Sequence, residues 1–581
     1  MRSSAVRLTT IAFACVLFGA CQSTTPAPLP SPADARTAMD RDLLDVTVAG
    51  LHRLYDAKTY TVTQVVQWHL DRIDRYNGVY GAIETVFRDG ALARAAALDA
   101  DAAKGGTADA RGALWGVPIV IKANTSIAGE ITTAGWEGFR VPGHELVAPR
   151  DATVVAKFKA AGAVIVGHTN MPDLANSDTN RSTSFGRTGN AYDVRFSPGG
   201  SSGGTVTAVT ANFAVLGNGT DTGNSIRMPA ATSGLVGVFP TRGLVSIAGI
   251  APLDWLLDNT GPIARTVEDA SIALRVMAGE DPLDARTAGS QAAASGAATP
   301  PGEPLSLKGR RFGVPAFILA GDGIPFHGIP VDVAPAAAER LRAAANMPLA
   351  PETREMFMKA VATLRAAGAE VVMDPTVLPV DFARTASRVS TYAYMEDGTN
   401  QFLAAFGPGA YHSADEFARV VGRPLFTSSI GTEDGFRLMA GVRLDQRVLA
   451  SDPDAERRYH APRRATLAAY LEPLDRLRLD GYVYPAIQMP PPDETLPQDG
   501  RLSEGPHSAT SWVNMIGVPA VVVPAGFYAR GLPFGLELSM RPWQDAALLA
   551  TARAWQGVMP PRTPPTLVDA GLLPTTPARR R

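Results

Sequence analysis

Short apolar runs rich in β-branched residues recur along this chain from residue 117 onward, and they constrain its fold more than any other feature. Stretches typical of amphipathic helices, such as DATVVAKFKAAG at 151–162, separate these runs. This alternation is typical of a sheet with helices on both faces, because strands buried in such a sheet are short and apolar. The predicted strands are Val117–Ile121, Ala163–Val166, Ala214–Leu216, Arg311–Val314, Glu370–Met373, Tyr482–Tyr484 and Ala520–Val523. We therefore predict an α/β fold.

The first 21 residues are typical of a secretory signal. Arg2 and Arg7 precede an apolar run at 8–18 that is too short to span a bilayer as a mature helix. The stretch LFGAC at 17–21 is similar to a bacterial lipobox. This similarity predicts a lipid on Cys21 and a periplasmic or membrane-anchored protein. Plain secretion is the alternative. The only other cysteine, Cys15, lies inside the signal. Cysteine catalysis and a thiolate metal site are therefore excluded.

Composition predicts the domain boundaries. Residues 22–40 are rich in Pro, Ser and Thr, which predicts an extended tether between the signal and the folded domain. The folded domain is expected at 41–560. A low-complexity segment at 287–304 has predicted strands on both sides, so we interpret it as an insertion within that domain. Residues 561–581 are expected to form a C-terminal tail.

Charge and histidine placement exclude two classes of function. The 581 residues carry 54 Lys and Arg against 56 Asp and Glu, a formal net charge of −2. With no basic stripe, there is no electrostatic basis for binding nucleic acid. The 8 histidines show neither an H-E-x-x-H motif nor a clustered ligand pattern, so no metal site is predicted.

Three motifs carry the candidate chemistry. GVPIVIKANT at 116–125 is a predicted strand ending in Lys122, SPGGSSGGT at 197–205 precedes a predicted helix, and GTDTGNSIRMP at 219–229 follows another predicted strand. Each has an ordinary structural interpretation when taken alone, because strand-end lysines often extend to solvent and glycine runs often form loops. Backbone N–H groups at the start of a helix also bind anions.

Together and in this order, the three motifs resemble those of the amidase signature family. Its members have a lysine closing a G-x-P strand, a G-G-S-S-G-G turn and a G-T-D-x-G-G-S-I-R-x-P segment, and the spacing between Ser201 and Ser225 also matches. The resemblance implies a single α/β/α domain with a large mixed central sheet covered by helices, and no cofactor or metal. It extends over roughly 50–560, through the segments 167–175, 258–270, 279–284, 516–527 and 531–538.

The resemblance implies a role for each motif residue. Ser225 matches the nucleophile, Ser201 the bridging serine that follows a cis peptide bond in family members, and Lys122 the base. The implied reaction is hydrolysis of a small linear amide, other than a peptide bond, through an acyl-enzyme. A serine hydroxyl needs a base to take its proton. Lysine is a base only when neutral, a state that burial favours by lowering its pKa.

Other residues of these motifs are expected to support the site rather than to act as catalysts. Asp221 and Arg227 are expected to form a buried ion pair that braces the turn. Ser202 is expected to support the glycine-rich turn by hydrogen bonding. The backbone N–H groups that match the family's oxyanion hole are those of Thr222, Gly223, Asn224 and Ser225.

Two positions depart from the family pattern. Asn224 stands where most relatives have glycine, and Ala123 stands where they usually have aspartate, whereas Asn124 keeps the next family position. Asparagine adopts left-handed backbone conformations more readily than other non-glycine residues, so we expect Asn224 in that region. Its side chain should then restrict the acyl site.

The motifs do not specify the substrate. In relatives the acyl pocket comes from variable segments, which here correspond to positions within 380–470. Three aromatic residues of that range, Tyr392, Tyr394 and Phe402, either line an apolar acyl pocket or belong to the core.

Two other functions stay open at this point. The turn GGSSG satisfies G-x-S-x-G, which would make Ser201 or Ser202 the nucleophile of an esterase with a Ser-His-acid triad. Pro198 and Gly199 lie ahead of these serines, whereas a nucleophilic serine in that motif normally follows a strand directly. The second alternative is a non-catalytic binding protein on a degenerate amidase fold. The histidines available to an esterase triad are His327, His412, His460 and His507.

Overall fold

The computed structural model describes residues 32–104, 111–290, 306–425, 445–495 and 505–567. The chain divides into two compact units, Met1–Leu44 and Asp45–Arg581. In the first unit, helix α1 (Pro32–Leu43) begins inside the range for which a tether is predicted. The predicted signal, Cys21 and the remainder of the tether lie outside the described residues, as do most of the 287–304 insertion and most of the C-terminal tail.

Helices make up much of the second unit. The residues that flank helix α3 (Val62–Tyr80) explain where this helix begins and ends. Thr61 and Gln64 form a capping box, in which each side chain accepts a hydrogen bond from the other's backbone N–H, and Gly81 ends the helix in the left-handed conformation. The other α-helices are α2 (Val48–Asp56), α4 (Arg88–Ala103), α5 (Thr153–Ala160), α6 (Gly203–Thr210), α7 (Arg227–Thr232), α8 (Val267–Met277), α9 (Ala316–Ala320), α10 (Pro335–Ala345), α11 (Pro351–Ala366), α12 (Val380–Ala386), α13 (Met395–Phe406), α14 (Ala414–Val421), α15 (Ala461–Arg476), α16 (Trp512–Ile516) and α17 (Asp545–Val558).

The strands of the second unit form one large sheet and one short hairpin. They are β1 (Ile83–Val86), β2 (Pro118–Lys122), β3 (Val164–Thr169), β4 (Arg181–Ser182), β5 (Gly186–Arg187), β6 (Leu216–Asp221), β7 (Val236–Phe239), β8 (Asn259–Ala264), β9 (Arg311–Gly313), β10 (Glu370–Val372), β11 (Gly481–Pro485), β12 (Ala520–Phe527) and β13 (Pro533–Ser539). Within the described residues the large sheet has 11 strands in the order β1-β3-β2-β6-β8-β7-β12-β13-β11-β9-β10. Strand β2 runs parallel to β3 and β6, and β9 runs parallel to β10 and β11, whereas the other pairs are antiparallel. The predicted α/β fold with a large mixed sheet is confirmed.

Each of the seven predicted strands overlaps an observed strand, but several ends differ, and the prediction at 214–216 overlaps its strand at Leu216 alone. The strand predicted to stop at Leu216 starts there and continues to Asp221, paired antiparallel with β8. A Cβ on Gly217 or Gly219 would lie within 3 Å of neighbouring side chains. These glycines therefore permit close packing of a strand, although in the sequence they are typical of a turn.

Sequence patterns missed four strands of the sheet, β1, β7, β8 and β13. Strands β7 and β8 are short and contain glycine or proline, which interrupts a β-branched run. Strand β13 contains a charged residue, Glu537, that is fully buried. A buried charge that is satisfied by a distant partner has no signature in the local sequence.

The parallel strands β2 and β6 position the candidate site. They end at Lys122 and Asp221, and the carboxyl ends of adjacent parallel strands lie at the same edge of a sheet. Ser201 and Ser202 come just before α6, and Ser225 comes just before α7. In the parts of the chain that the structure covers, no helix is both long and apolar enough to cross a membrane.

Candidate active site

The side chain of Lys122 lies fully buried at the end of β2. Its Nζ is 2.8 Å from Ser201 Oγ, 3.0 Å from Ser202 Oγ and 2.8 Å from Thr220 Oγ1. Ser202 Oγ donates its own proton to the carbonyl of Thr220 at 3.2 Å. A neutral amine has two N–H donors and one lone pair, so donation to Ser202 and Thr220 leaves the lone pair for the Ser201 hydroxyl.

The electrostatic surroundings of Lys122 favour that neutral form. Burial lowers its pKa to about 7, against the opposing effect of the Asp221 and Asp258 carboxylates. Burial also raises the pKa of Asp258 to about 6, and this carboxylate accepts a hydrogen bond from Thr222 Oγ1 at 2.5 Å. A substantial fraction of Lys122 is therefore uncharged near neutral pH.

Ser201 follows a cis peptide bond, Gly200–Ser201, and its side chain is fully buried. Its hydroxyl contacts Lys122 Nζ. The next residue, Ser202, donates its backbone N–H to the carbonyl of Ser225 at 3.2 Å. This bond joins the glycine-rich turn to the turn that carries Ser225.

Ser225 lines a cavity of about 350 Å³ together with Asn224. Its hydroxyl donates a long hydrogen bond of 3.5 Å to Asn224 Oδ1, and Asn224 Nδ2 donates to Asp178 Oδ1 at 3.3 Å. Across the described ranges, no hydrogen bond joins Ser225 to Ser201. The structure therefore brings the three motifs together, with Ser225 turned toward Asn224.

In the turn at 222–225, backbone carbonyls accept hydrogen bonds from other parts of the protein, whereas the backbone N–H groups remain available as donors. The carbonyl oxygens of Gly223, Asn224 and Ser225 accept hydrogen bonds from Arg227 Nη2, Met228 N and Ser202 N. Among the residues with described positions, none accepts a hydrogen bond from the backbone N–H of 222–225. In a trans peptide the N–H points opposite to the preceding C=O, so this arrangement leaves donors available for an anion.

The expectation of a left-handed Asn224 is wrong. Asn224 is not among the residues with positive φ, so an asparagine at this position needs no special backbone conformation. The glycine that matters is its neighbour, since a Cβ on Gly223 would lie 1.7 Å from Phe326 Cε2. The Phe326 ring thus packs directly on the turn. Ala123, the other departure from the family pattern, is fully buried in a small apolar cluster.

Asp221 and Arg227 form a fully buried ion pair with 3.0 Å between Oδ2 and Nε. Arg227 also contacts Glu537 Oε1 at 2.7 Å and Asn514 Oδ1 at 2.6 Å. Although burial alone would raise the pKa of Asp221, the Arg227 charge and several hydrogen bonds hold it below its ordinary value. Glu537 Oε1 accepts hydrogen bonds from Arg227 and Tyr484, whereas Oε2 has no hydrogen-bond partner among the described residues. Burial raises the pKa of Glu537 to about 7.

The cavity brings together some of the aromatic and histidine residues considered from the sequence. His327, His507 and Tyr392 line it, whereas His412 and His460 do not. Of the two remaining aromatic candidates, Tyr394 donates its hydroxyl to Asp452 and Phe402 packs in an apolar core cluster.

His327 and Asp254 are paired as the imidazole and carboxylate of a serine triad are, but in the described residues no histidine contacts Ser201 or Ser202. His327 Nδ1 lies 2.8 Å from Asp254 Oδ2, and His507 Nδ1 lies 3.3 Å from Asp178 Oδ2. In the described structure His327 Nε2 has no hydrogen-bond partner, and both serines of the GGSSG turn contact Lys122. This geometry disfavours the Ser-His-acid alternative.

Sequence reasoning missed several residues that surround the motif. Thr220 stands inside the third motif and Glu537 inside a segment of family similarity, so both carried a signal that was not used. Asp258 also stands in such a segment. Asn514 and Asp178 carry no local signal, because each reaches the site from a distant part of the chain.

A family model described as Amidase matches residues 64–322 and 341–549. The chain belongs to the amidase family. This membership confirms the resemblance based on the motifs and supports amide hydrolysis. The match leaves out 323–340, the segment that carries Phe326 and His327 against the cavity.

Curated relatives of this amidase-family chain match nearly its whole length. The A subunit of glutamyl-tRNA(Gln) amidotransferase from Symbiobacterium thermophilum is 35% identical over 532 residues, which cover 88% of this chain and 96% of the relative. The protein of the same name from Koribacter versatilis is 31% identical over 528 residues, covering 88% and 98%. Among solved structures, native peptide amidase from Stenotrophomonas maltophilia has a TM-score of 0.68 and 26% identity, covering 90% of this chain and 98% of that one.

Proposed function

We propose that this protein hydrolyses a small linear carboxylic amide through an acyl-enzyme on Ser225. The observation that carries the proposal is the buried Lys122, with its pKa lowered to about 7 and its Nζ 2.8 Å from Ser201 Oγ. The N–H groups of the 222–225 turn supply the complementary half of the site. The names of the relatives, a glutamyl-tRNA amidotransferase and a peptide amidase, both describe chemistry at C–N bonds.

The proposed reaction moves one proton along the motif residues. Ser225 rotates from Asn224 toward Ser201 and attacks the amide carbon, while Ser201 takes its proton and passes its own to neutral Lys122. The developing oxyanion accepts hydrogen bonds from the N–H groups at 222–225, and the proton returns through Ser201 to the departing amine. Water then attacks the ester on Ser225 by the same route, which releases the acid and restores the hydroxyl.

We also propose that the mature protein works outside the cytoplasm, as a periplasmic or lipid-anchored enzyme. Support comes from the signal-like segment at 1–21 and its lipobox-like end. A small-molecule amide is the proposed substrate, because the chain is nearly neutral and has no basic stripe for nucleic acid.

Ser225→Ala tests the nucleophile. It should lower kcat/KM for any accepted amide by about 10⁴-fold or more, because no acyl-enzyme can form. A fluorophosphonate probe, which forms a P–O bond to a reactive serine and releases fluoride, should label the parent protein at Ser225 and not this variant. Intact-mass spectrometry and peptide mapping measure the label.

A matched control for Ser225→Ala is Ser271→Ala on helix α8, where the hydroxyl only donates to the Val267 carbonyl. It should retain activity and labelling. Labelling of Ser201 or Ser202 in place of Ser225 would favour the esterase alternative, and failure of both turnover and labelling in the parent would favour the non-catalytic one.

Asn224→Gly tests the expectation that this side chain restricts the acyl site. Asn224 lies beside Ser225 on the cavity wall and is tied to Asp178, so its removal opens space next to the acyl carbon. We expect kcat/KM for α-branched primary amides to rise about tenfold relative to unbranched ones, a factor worth about 1.4 kcal/mol. A panel of amides of increasing α-branching measures this ratio, and an unchanged ratio would contradict the expectation.

A further inference from the structure

We propose that His327, oriented by Asp254, accepts a hydrogen bond from the substrate in the cavity beside Ser225. The enzyme would then select amides whose acyl group carries an N–H or O–H donor. This inference rests on the proposed function of Ser225. With a primary amide the leaving group is only ammonia, so the acyl group is the part of the substrate that fills the cavity.

The loop between α9 and α10 places His327 at the site. Phe326 packs on Gly223 so closely that a Cβ there would overlap its ring. That contact fixes the following residue, His327, on the wall of the cavity that Ser225 also lines. Phe326 and His327 both lie in the segment 323–340, which the family model leaves out.

Asp254 determines which nitrogen of His327 carries the proton. Its carboxylate, fully buried, accepts hydrogen bonds from Thr391 Oγ1 and from the backbone N–H of Leu256, and lies 2.8 Å from His327 Nδ1. A carboxylate accepts hydrogen bonds, so Nδ1 carries the proton when the ring has only one, and Nε2 then carries a lone pair. This is the arrangement in which a second group orients a functional imidazole.

The second nitrogen of His327 lacks a partner. The side chain is 3% exposed, and in the described part of the chain nothing hydrogen-bonds to Nε2. Nε2 lies on the side of the imidazole away from Asp254, and Asp254 is not among the cavity-lining residues. A buried acceptor without a partner is unfavourable, so a substrate donor that reaches Nε2 gains a bond that the free protein does not make.

The charged side chains of the cavity wall also favour a substrate with a hydrogen-bond donor. Asp178, whose side chain is 30% exposed, lines the same cavity, and the described lining residues include no lysine or arginine. The charge of Asp178 is thus not offset by a fixed cation on the described cavity wall. Such a lining favours donor-bearing acyl groups over carboxylate-bearing ones.

The experiment compares two primary amides of nearly equal size, 2-hydroxy-3-phenylpropanamide and 2-methoxy-3-phenylpropanamide. Both have an oxygen on the α-carbon of the acyl group, but only the hydroxyl of the first compound can donate a hydrogen bond from that position. We expect the parent protein to favour the hydroxy amide about tenfold in kcat/KM. His327→Phe keeps a ring of similar size and removes the acceptor, so this preference should fall to about twofold or less, chiefly through KM.

Asp254→Asn tests whether Asp254 acts by setting the protonated nitrogen of His327. If Asp254 were only structural, this substitution would not change the kcat/KM ratio of the two amides. The amide N–H of asparagine donates to Nδ1, which shifts the ring proton to Nε2 and turns the acceptor into a donor. The preference should then be lost, because a donor at Nε2 can bond to the hydroxyl oxygen and to the ether oxygen alike. His327→Gln, which restores a carbonyl oxygen, should recover part of the preference for the hydroxy amide, and His412→Phe outside the cavity should leave it at the parent value.

Fluorophosphonate labelling of Ser225 and thermal unfolding of each variant separate a lost contact from a lost fold. Equal use of the two amides by the parent, or a ratio that His327→Phe does not change while Ser225 is still labelled, would overturn the inference and leave the proposed function standing. Failure of the parent to label at Ser225 would overturn the proposed function and the inference together.

Discussion

Replacing Lys122 by methionine should lower kcat/KM by about 10³-fold or more, because the Ser225 proton then has no base to accept it. Methionine fills a similar volume but cannot take a proton from Ser201. Fluorophosphonate labelling of Ser225 should slow in parallel, since the probe needs the same activation of the hydroxyl. Steady-state kinetics with one primary amide and labelling rates measure both effects.

The pH profile of the parent and of Lys122→Met tests whether Lys122 is the base. Only the neutral amine accepts a proton, and its pKa is about 7, so kcat/KM of the parent should rise with pH and level off above about 7. The residual activity of Lys122→Met should lack this inflection. Retention of the inflection in the variant would place the base elsewhere.

Lys157→Met is the matched control. Burial also lowers the pKa of Lys157, but its Nζ donates to the carbonyls of Met277 and Ala278, away from the motif residues. This variant should keep the parent's activity and its pH profile. A loss similar to that of Lys122→Met would show that removing any buried lysine disturbs the site.

The same pKa shift has a consequence for stability. The unfolded chain has an ordinary lysine, so between about pH 7 and the ordinary lysine pKa it binds more protons than the folded protein does at Lys122. The free energy of unfolding of the parent, relative to Lys122→Met, should therefore increase with pH across this window. The slope can reach at most about 1.4 kcal/mol per pH unit for one proton. Urea unfolding of both proteins at pH 7 and 9 measures the difference.

Arg227→Met should cost about 3–5 kcal/mol of unfolding free energy, the largest stability effect that we predict for a single substitution. Arg227 is fully buried between Asp221 and Glu537, and its removal leaves two buried carboxylates without a cation. Because Arg227 also holds the Gly223 carbonyl, the 222–225 turn should lose its geometry and the enzyme its activity. Urea unfolding, with soluble yield as a second measure, tests this expectation.

The pH dependence of the Arg227→Met penalty distinguishes unpaired charge from lost packing. Protonation neutralises Asp221 and Glu537. Without the arginine, the folded-state pKa of Asp221 should rise from below to above its unfolded value, and that of Glu537 should rise further above its own. A group with a raised folded pKa stabilises the fold at low pH and loses that effect as pH rises. The penalty should therefore shrink between pH 8 and pH 6, and an unchanged penalty would point to packing.

Arg476→Met controls for the loss of an ion pair at the surface. Arg476 pairs with Glu472 one helical turn away, and both side chains are about half exposed. Such a pair contributes about 0–1 kcal/mol. Arg227→Lys, which keeps the charge but not the planar group, should fall between the two methionine variants.

Much of the fold and of the candidate site follows from local patterns. The seven predicted strands were found because apolar β-branched runs are contiguous in sequence. Lys122, Ser201 and Ser225 were singled out because each lies in a short contiguous motif. Strand β13 was missed because Glu537 interrupts its apolar run, and the backbone conformation of Asn224 was wrongly predicted because an expected turn does not specify φ.

The sequence by itself determined the class of fold, the family and the residues that carry the proposed chemistry. Only the tertiary structure decided their surroundings. Arg227 contacts Glu537 and Asn514 across more than 280 positions of the chain, and His327 meets Asp254 across 73. Burial, which lowers the pKa of Lys122, likewise depends on the packing of the whole domain. Contacts between residues so far apart leave no local periodicity or motif, so they become visible only when the folded chain brings the residues together.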